Sequence, residues 1–322
     1  MMIFKLTASV KNYVWGGTKL RDEFGKVSDE EKLAESWELS CHHDGLSMIE
    51  NSNTALVEYL AKHPEDMGEN CKKFDGFPIL IKLIDARDNL SIQVHPDNKY
   101  AMKHESEQGK TEMWYIIDCE PDSSIIYGFK EKITKKEFRQ AIEDNTLLDK
   151  VNIVPVKKGD VFMIKAGTLH AIGKGILLAE IQQNSNTTYR VYDYGRPREL
   201  HIDKALDVTK RSPMPIPEQH HMDLRDSIES NSFPLKIYHY LLARCKYFRT
   251  YTEGIHGDGI LHRNEKSFTH VLILEGEGKI YSNYDTVFND NHSFKKGDSF
   301  FITAGSGWYI NGNKCSIIYT VI

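Results

Sequence analysis

The chain has 322 residues, 40% of them hydrophobic and 27% charged, the proportions of an ordinary soluble globule with room for two domains or one large one. A net charge of −5 gives no electrostatic reason to expect nucleic acid or an anionic membrane as a partner, although a local cationic cluster could still hold a small anion. Five scattered cysteines without a C-x-x-C pair argue against a disulfide framework or a cysteine zinc site, and no apolar run reaches signal-peptide or membrane-spanning length, so a cytoplasmic protein is expected.

Along the chain, "TALVEYLAKH" (54–63) has the spacing of a short helix, and "FPILIKLI" (77–84) that of a buried strand interrupted by Lys82. "SIQVHPDNKY" (91–100) begins as a strand and stops at Pro96. Its period of two puts Ser91, Gln93 and His95 on one face and Ile92 and Val94 on the other. That polar row is either the wet side of an edge strand or one wall of a polar site. "MWYIID" (113–118) is the next strand, with Lys110, Glu112 and Trp114 in phase at its start. "TKKEFRQAIEDNTLLDKV" (134–151) reads as the longest helix, opened by a Thr134/Glu137 capping box and carrying Phe138, Ala141, Ile142 and Leu148 on one stripe.

Strands follow at "VFMIKA" (161–166), "ILLAEIQQ" (176–183) and "TTYRVYDY" (187–194), where Thr188, Arg190 and Tyr192 share a face. After a short helix at "HIDKALDVTK" (201–210), Pro213, Pro215 and Pro217 mark "SPMPIPEQ" as a connector. More strands come at "KIYHYLLAR" (236–244), "HVLILEGEGKIY" (270–281), "SFFITA" (299–304) and "SIIYTVI" (316–322). The histidine pairs at 42–43 and 220–221 lie in polar surroundings and read as surface residues.

An internal repeat organises this list. "KKGDVFMIKAGTLH" (157–170) and "KKGDSFFITAGSGW" (295–308) share the frame K-K-G-D-x-F-x-I-x-A-G, a turn feeding a strand that ends in a second glycine turn. The first copy ends in His170, a ligand-type residue, and the second in Trp308.

The frame G-D-x-x-x-I-x-A-G-x-x-H resembles the second motif of the cupins, double-stranded β-helix (jelly-roll) barrels whose motif histidine binds a metal. Together, "NYVWGGTKL", "AESWELS", "LSIQVHPDNKYA", "GKTEMWYII", "AGTLHAIGKG" and "NTTYRVYDYGR" are similar to the type I mannose-6-phosphate (phosphomannose) isomerases. The resemblance implies a mainly β chain with two cupin barrels and a few helices. Residues 1–211 would be the catalytic lobe, with a helical insert near 133–152, and 212–322 a degenerate lobe without metal ligands.

It also implies one zinc per chain held by Gln93, His95, Glu112 and His170, a donor set of two imidazoles, one carboxylate and one neutral amide that suits zinc. A single carboxylate leaves that ion a net positive charge and hence Lewis acidity. The resemblance places Arg190 at the chemistry and puts Ser91, Lys82 and Lys110 around the phosphate or sugar, where cations suit a dianion. Glu180 matches a carboxylate proposed as a base in some relatives. Many relatives carry Asp where this chain has Asn186, so the identity of the base is open.

The implied reaction interconverts mannose 6-phosphate and fructose 6-phosphate through an enediol(ate), with a small sugar phosphate as partner, no nucleic acid or membrane, and the oligomeric state left open. The alternatives are a metal-dependent cupin oxygenase and a non-catalytic sugar-phosphate-binding cupin.

Overall fold

A computed structural model of the chain describes residues 2–219, 238–282 and 291–322, which fold mainly as β-strands with a few short helices. They divide into two compact units. One comprises Asn12–Gly17 and Ile84–His221, the other Met1–Lys11, Thr18–Leu83 and Met222–Ile322. A linear cut at 211/212 is not the one the contacts make. Its physical cause is strand pairing: the N-terminal strand Ile3–Thr7 lies antiparallel between Ser299–Ile302 and Met48–Ile49, which commits the first part of the chain to the last. The proline segment 212–219 stays with the first unit, where Met214 N–H donates to the Phe129 carbonyl.

In the first unit a five-stranded sheet runs Tyr189–Tyr192, Ile92–Val94, His170–Ile172, Ser124–Phe129, Val151–Pro155. Its apolar side packs on the helices Lys135–Glu143 and Ile202–Val208, with Ile92, Val94, Phe129, Phe138, Ala141 and Leu206 fully or nearly fully buried in one cluster. Each of these side chains larger than alanine contributes about 1.5–3 kcal/mol. The alternation in "SIQVH" is thus explained on one side: Ile92 and Val94 belong to the core, so Gln93 must face away from it. Three further strands, Val161–Ile164, Glu112–Cys119 and Ile176–Gln183, pair antiparallel, with Glu112 opposite Gln182 and Trp114 opposite Glu180.

The helix expected over 134–151 is shorter. The Thr134/Glu137 capping box forms at its start, but the helix ends at Glu143 because Asn145 adopts a left-handed conformation (φ 57°), which Asn tolerates through its short polar side chain. A 3₁₀ turn, Leu147–Asp149, and a strand, Val151–Pro155, follow, and Leu147 rather than Leu148 is the residue fully buried. A helix at Asn98–His104, capped by the Asp97 side chain, was not legible in the sequence pattern.

The second unit is built on a large sheet whose main path is Tyr238–Arg244, Arg249–Asp258, Gly307–Val321, Thr269–Ser282, Ser299–Ile302, Ile3–Thr7, Met48–Ile49. Residues 236–237 of the expected strand lie outside the described residues. Trp308 and Phe300 are buried in this unit's core, as expected for a module filled by side chains.

The two repeats match turn for turn. Gly159 and Gly297 have φ of 90° and 89°, a backbone conformation that favours glycine. Asp160 accepts from Lys157 N–H at 2.7 Å and Asp298 from Lys295 N–H at 2.9 Å. Gly159 N–H reaches the Ile116 carbonyl and Gly297 N–H the Ile273 carbonyl.

Candidate metal centre

Three chain segments carry the centre, and backbone hydrogen bonds tie them together. Gly167 N–H, in the glycine turn of the first repeat, donates to the His95 carbonyl at 2.9 Å. Lys110 N–H donates to the Pro96 carbonyl at 3.0 Å. With His170 opposite Gln93 in the strand ladder, the polar face of "SIQVH" and the end of the repeat meet. Glu112 completes the group, and ligand atoms of His95, Glu112 and His170 all lie within 4.8 Å of one another.

The three side chains are essentially without solvent contact, at 1%, 0% and 0% exposure. His95 Nδ1 donates to the Thr187 carbonyl and His170 Nδ1 to the Thr168 carbonyl, each at 2.9 Å. Because a carbonyl can only accept, these contacts fix both tautomers and leave each Nε2 as a lone pair. Those lone pairs point at the two oxygens of Glu112, at 3.4 Å each, and neither carboxylate oxygen makes a hydrogen bond. Two imidazole lone pairs and a carboxylate facing each other without hydrogens between them repel unless a cation stands among them. The donor set fits a divalent transition metal. Backbone carbonyls on the outer imidazole nitrogens are the outer-shell partners such ligands use.

The electrostatics agree. Burial, and then the Lys110 ammonium, lower the pKa of His95 to about 3, and burial lowers that of His170. Burial alone would raise the Glu112 carboxyl, but Lys110 at 3.2 Å and His95 hold it well below the usual carboxylate range. All three groups are therefore in their metal-binding protonation states at neutral pH.

Gln93 is half-buried beside His170, its carboxamide nitrogen 3.4 Å from His170 Nε2 and its oxygen accepting from Ser91 Oγ at 3.4 Å. To ligate, the amide must turn end for end, an exchange its planar shape permits. Arg190, also opposite Gln93, continues the row: its Nε donates to Ser91 Oγ at 3.2 Å and its Nη1 to the Glu199 carbonyl at 3.0 Å. Two more guanidiniums stand nearby. Arg198 grips Asp193 with two hydrogen bonds of 2.6 and 2.7 Å. Arg196 donates to the carbonyls of Asn89 and Asp193 while its buried Nη1 donates to nothing. Burial, and then Arg198, lower the pKa of Arg190, while Asp193 opposes the shift.

Lys110 is buried between Glu112 and Glu180, 3.7 Å from the latter, and Trp114 Nε1 donates to the other Glu180 oxygen at 2.9 Å. Lys82 is not at the wet edge of its strand. It is buried in the other unit, 3.2 Å from Glu35 and over the Trp37 ring. His42, read as a surface residue, is buried with its ring 4.3 Å from His43, whereas His43 is exposed and residues 220–221 lie outside the described residues. Gln182, Arg196 and Arg198 were missed in the sequence. The arginines had a signal in "GRPREL", but a buried glutamine at the end of an apolar strand has none.

Residues 3–120 match the profile of "Phosphomannose isomerase type I, catalytic domain". The mannose-6-phosphate isomerase ManA of Bacillus subtilis (strain 168) is 38% identical over 310 residues, 92% of this chain and 91% of its own. That of Streptococcus mutans is 36% identical over 96% of this chain and 95% of its own. A crystal structure of the mannose 6-phosphate isomerase from Bacillus subtilis aligns over 100% of both chains at a TM-score of 0.84 and 34% identity.

Proposed function

The chain belongs to the type I phosphomannose isomerases, and from that premise we propose that it interconverts mannose 6-phosphate and fructose 6-phosphate at a single zinc centre formed by His95, Glu112, His170 and Gln93. The single observation that carries the metal is the buried, acceptor-only cluster in which His95 Nε2 and both Glu112 oxygens accept no hydrogen bond and His170 Nε2 meets only the Gln93 amide at 3.4 Å. When bound, zinc supplies a Lewis acid for the oxygens on the reacting carbons. We take both β-modules as cupin barrels, with residues 84–221 carrying the catalysis and the C-terminal module lacking metal ligands.

The chain's own groups would divide the remaining work. The reaction moves one proton from C2 to C1 through an enediolate, so a base must take it and return it. We assign this to the Lys110–Glu180 pair, since the amide of Asn186 cannot serve as a base. Arg190 would stabilise the oxyanion, being fixed by Ser91 and the Glu199 carbonyl before substrate arrives. For the phosphoryl group, Lys110 and Lys82 each already sit 3.2 Å from a carboxylate. The reading therefore rests the dianion on Ser91 and on Arg196, whose buried Nη1 donates to nothing, while Arg198 stays paired with Asp193.

The test is a coupled assay on mannose 6-phosphate before and after chelation, with metal analysis. Activity should vanish on chelation, return with zinc and track one zinc per chain. Full turnover by the metal-free protein, or iron as the ion that supports activity, would sink the reading.

A further inference from the structure

Gln182 is fully buried at the end of the Ile176–Gln183 strand, directly opposite Glu112. Residues opposite each other on antiparallel strands project to the same face, with Cβ atoms about 4.5–5.5 Å apart. Glu180, two residues earlier and so on that same face, touches Lys110 and Trp114. The Gln182 side chain therefore stands beside the carboxylate of the metal centre.

Its orientation is not ambiguous, as a glutamine's often is. Nε2 donates to the carbonyls of Gln183 at 2.8 Å and Ser185 at 2.6 Å, and exchanging the amide ends would press an oxygen against two carbonyl oxygens. The opposite end, Oε1, is buried and accepts no hydrogen bond. A desolvated acceptor costs about 1–3 kcal/mol while it stays unmet. Its neighbour across the ladder, Glu112, is itself acceptor-only and cannot satisfy it.

We propose that Gln182 Oε1 accepts a hydrogen bond from a hydroxyl group on C1 or C2 of the sugar at the metal centre, making Gln182 a specificity-determining residue for hydroxylated substrates. The proposal rests on the isomerase reading above. It places a fixed acceptor where a polyol has a donor and a deoxy analogue has none. Sites built this way discriminate strongly because the unmatched group stays buried and unpaired.

The experiment uses zinc-loaded full-length protein and three unreactive probes: mannitol 6-phosphate and its 1-deoxy and 2-deoxy forms, measured by calorimetry. In the wild type, one deoxy form should bind about tenfold more weakly than mannitol 6-phosphate. In Gln182→Met, mannitol 6-phosphate should weaken about tenfold and that preference should disappear, with zinc affinity by chelator competition unchanged. If the methionine variant fails to fold, the wild-type measurements decide alone: equal binding of all three probes would refute the acceptor. Equal weakening of all three probes, an intact preference in Gln182→Met, or loss of zinc in that variant would overturn the proposal. A wild type that fails to isomerise mannose 6-phosphate would instead overturn the isomerase reading, which the binding measurements do not assume.

Discussion

The two K-K-G-D repeats are the same turn, strand and glycine corner, yet they end in different chemistry. At the first, His170 Nε2 stands 3.4 Å from Glu112 with no hydrogen between them. The second module also has a buried glutamate and a histidine, but His262 Nε2 donates to Glu253 at 2.7 Å and the His262 ring stacks on Trp308 at 4.4 Å. Among the described residues, no cluster of three metal-type ligands lies in 238–322. A histidine and a carboxylate are thus not a metal site by composition. What matters is whether the imidazole presents a proton or a lone pair, and a backbone carbonyl on its far nitrogen decides that.

The sharpest way to break this contrast is to exchange its end positions. Trp308→Ala should cost about 3–5 kcal/mol of stability by denaturant unfolding while leaving zinc affinity unchanged. His170→Ala should show the reverse pattern. Its zinc affinity by chelator competition should fall at least as far as the roughly 10²-fold seen when an outer-shell partner is lost, with the fold retained. Zinc loss in Trp308→Ala would show that the second module supports the centre after all.

Next in size is Arg190, which has no counterpart at the second repeat. Arg190→Lys should lower kcat by roughly 10²–10³, about 2.7–4 kcal/mol, because oxyanion charge develops only in the transition state. Steady-state kinetics at saturating zinc decide it. A change confined to KM would move Arg190 to ground-state phosphate binding.

The smallest effect separates the modules by pH. His270, buried in the second unit beside Ser299 Oγ, has its pKa lowered to about 3 by burial and then Lys26. Its unfolded value is about 6.5, so between those limits the unfolded chain binds a proton that the folded chain refuses. Stability therefore falls as pH falls through that window, by up to about 1.4 kcal/mol per pH unit. His95 in the first unit behaves alike. Zinc on His95 and His170 leaves the folded chain equally proton-free, so it should leave the slope in place, whereas His270→Gln should remove that residue's share. Melting temperatures of wild type and variant at pH 7 and pH 5, with and without zinc, read that share. A slope untouched by His270→Gln would mean that this imidazole is protonated in the fold.

Much of the site was legible because strand periodicity is local. Ser91, Gln93 and His95 alternate with Ile92 and Val94, and the repeat ends in His170. The capping box at Thr134 was equally local, and it formed. The far end of that helix was misplaced because periodicity continues past Asn145, while the backbone there turns left-handed. Arg196, Arg198 and Gln182 were missed because their roles depend on which atoms stay unpaired.

The sequence by itself determined the strongly periodic strands, the repeated turn and the residue types that can hold a metal, since each follows from a period or a short spacing. The tertiary structure alone decided that Ile3–Thr7 joins the C-terminal strands and that Lys82 pairs with Glu35. It alone turned both imidazole lone pairs onto Glu112. The physical reason is that hydrogen-bond partners distant in sequence, such as the Thr187 carbonyl for His95, set proton positions and charge compensation, and no local pattern encodes them.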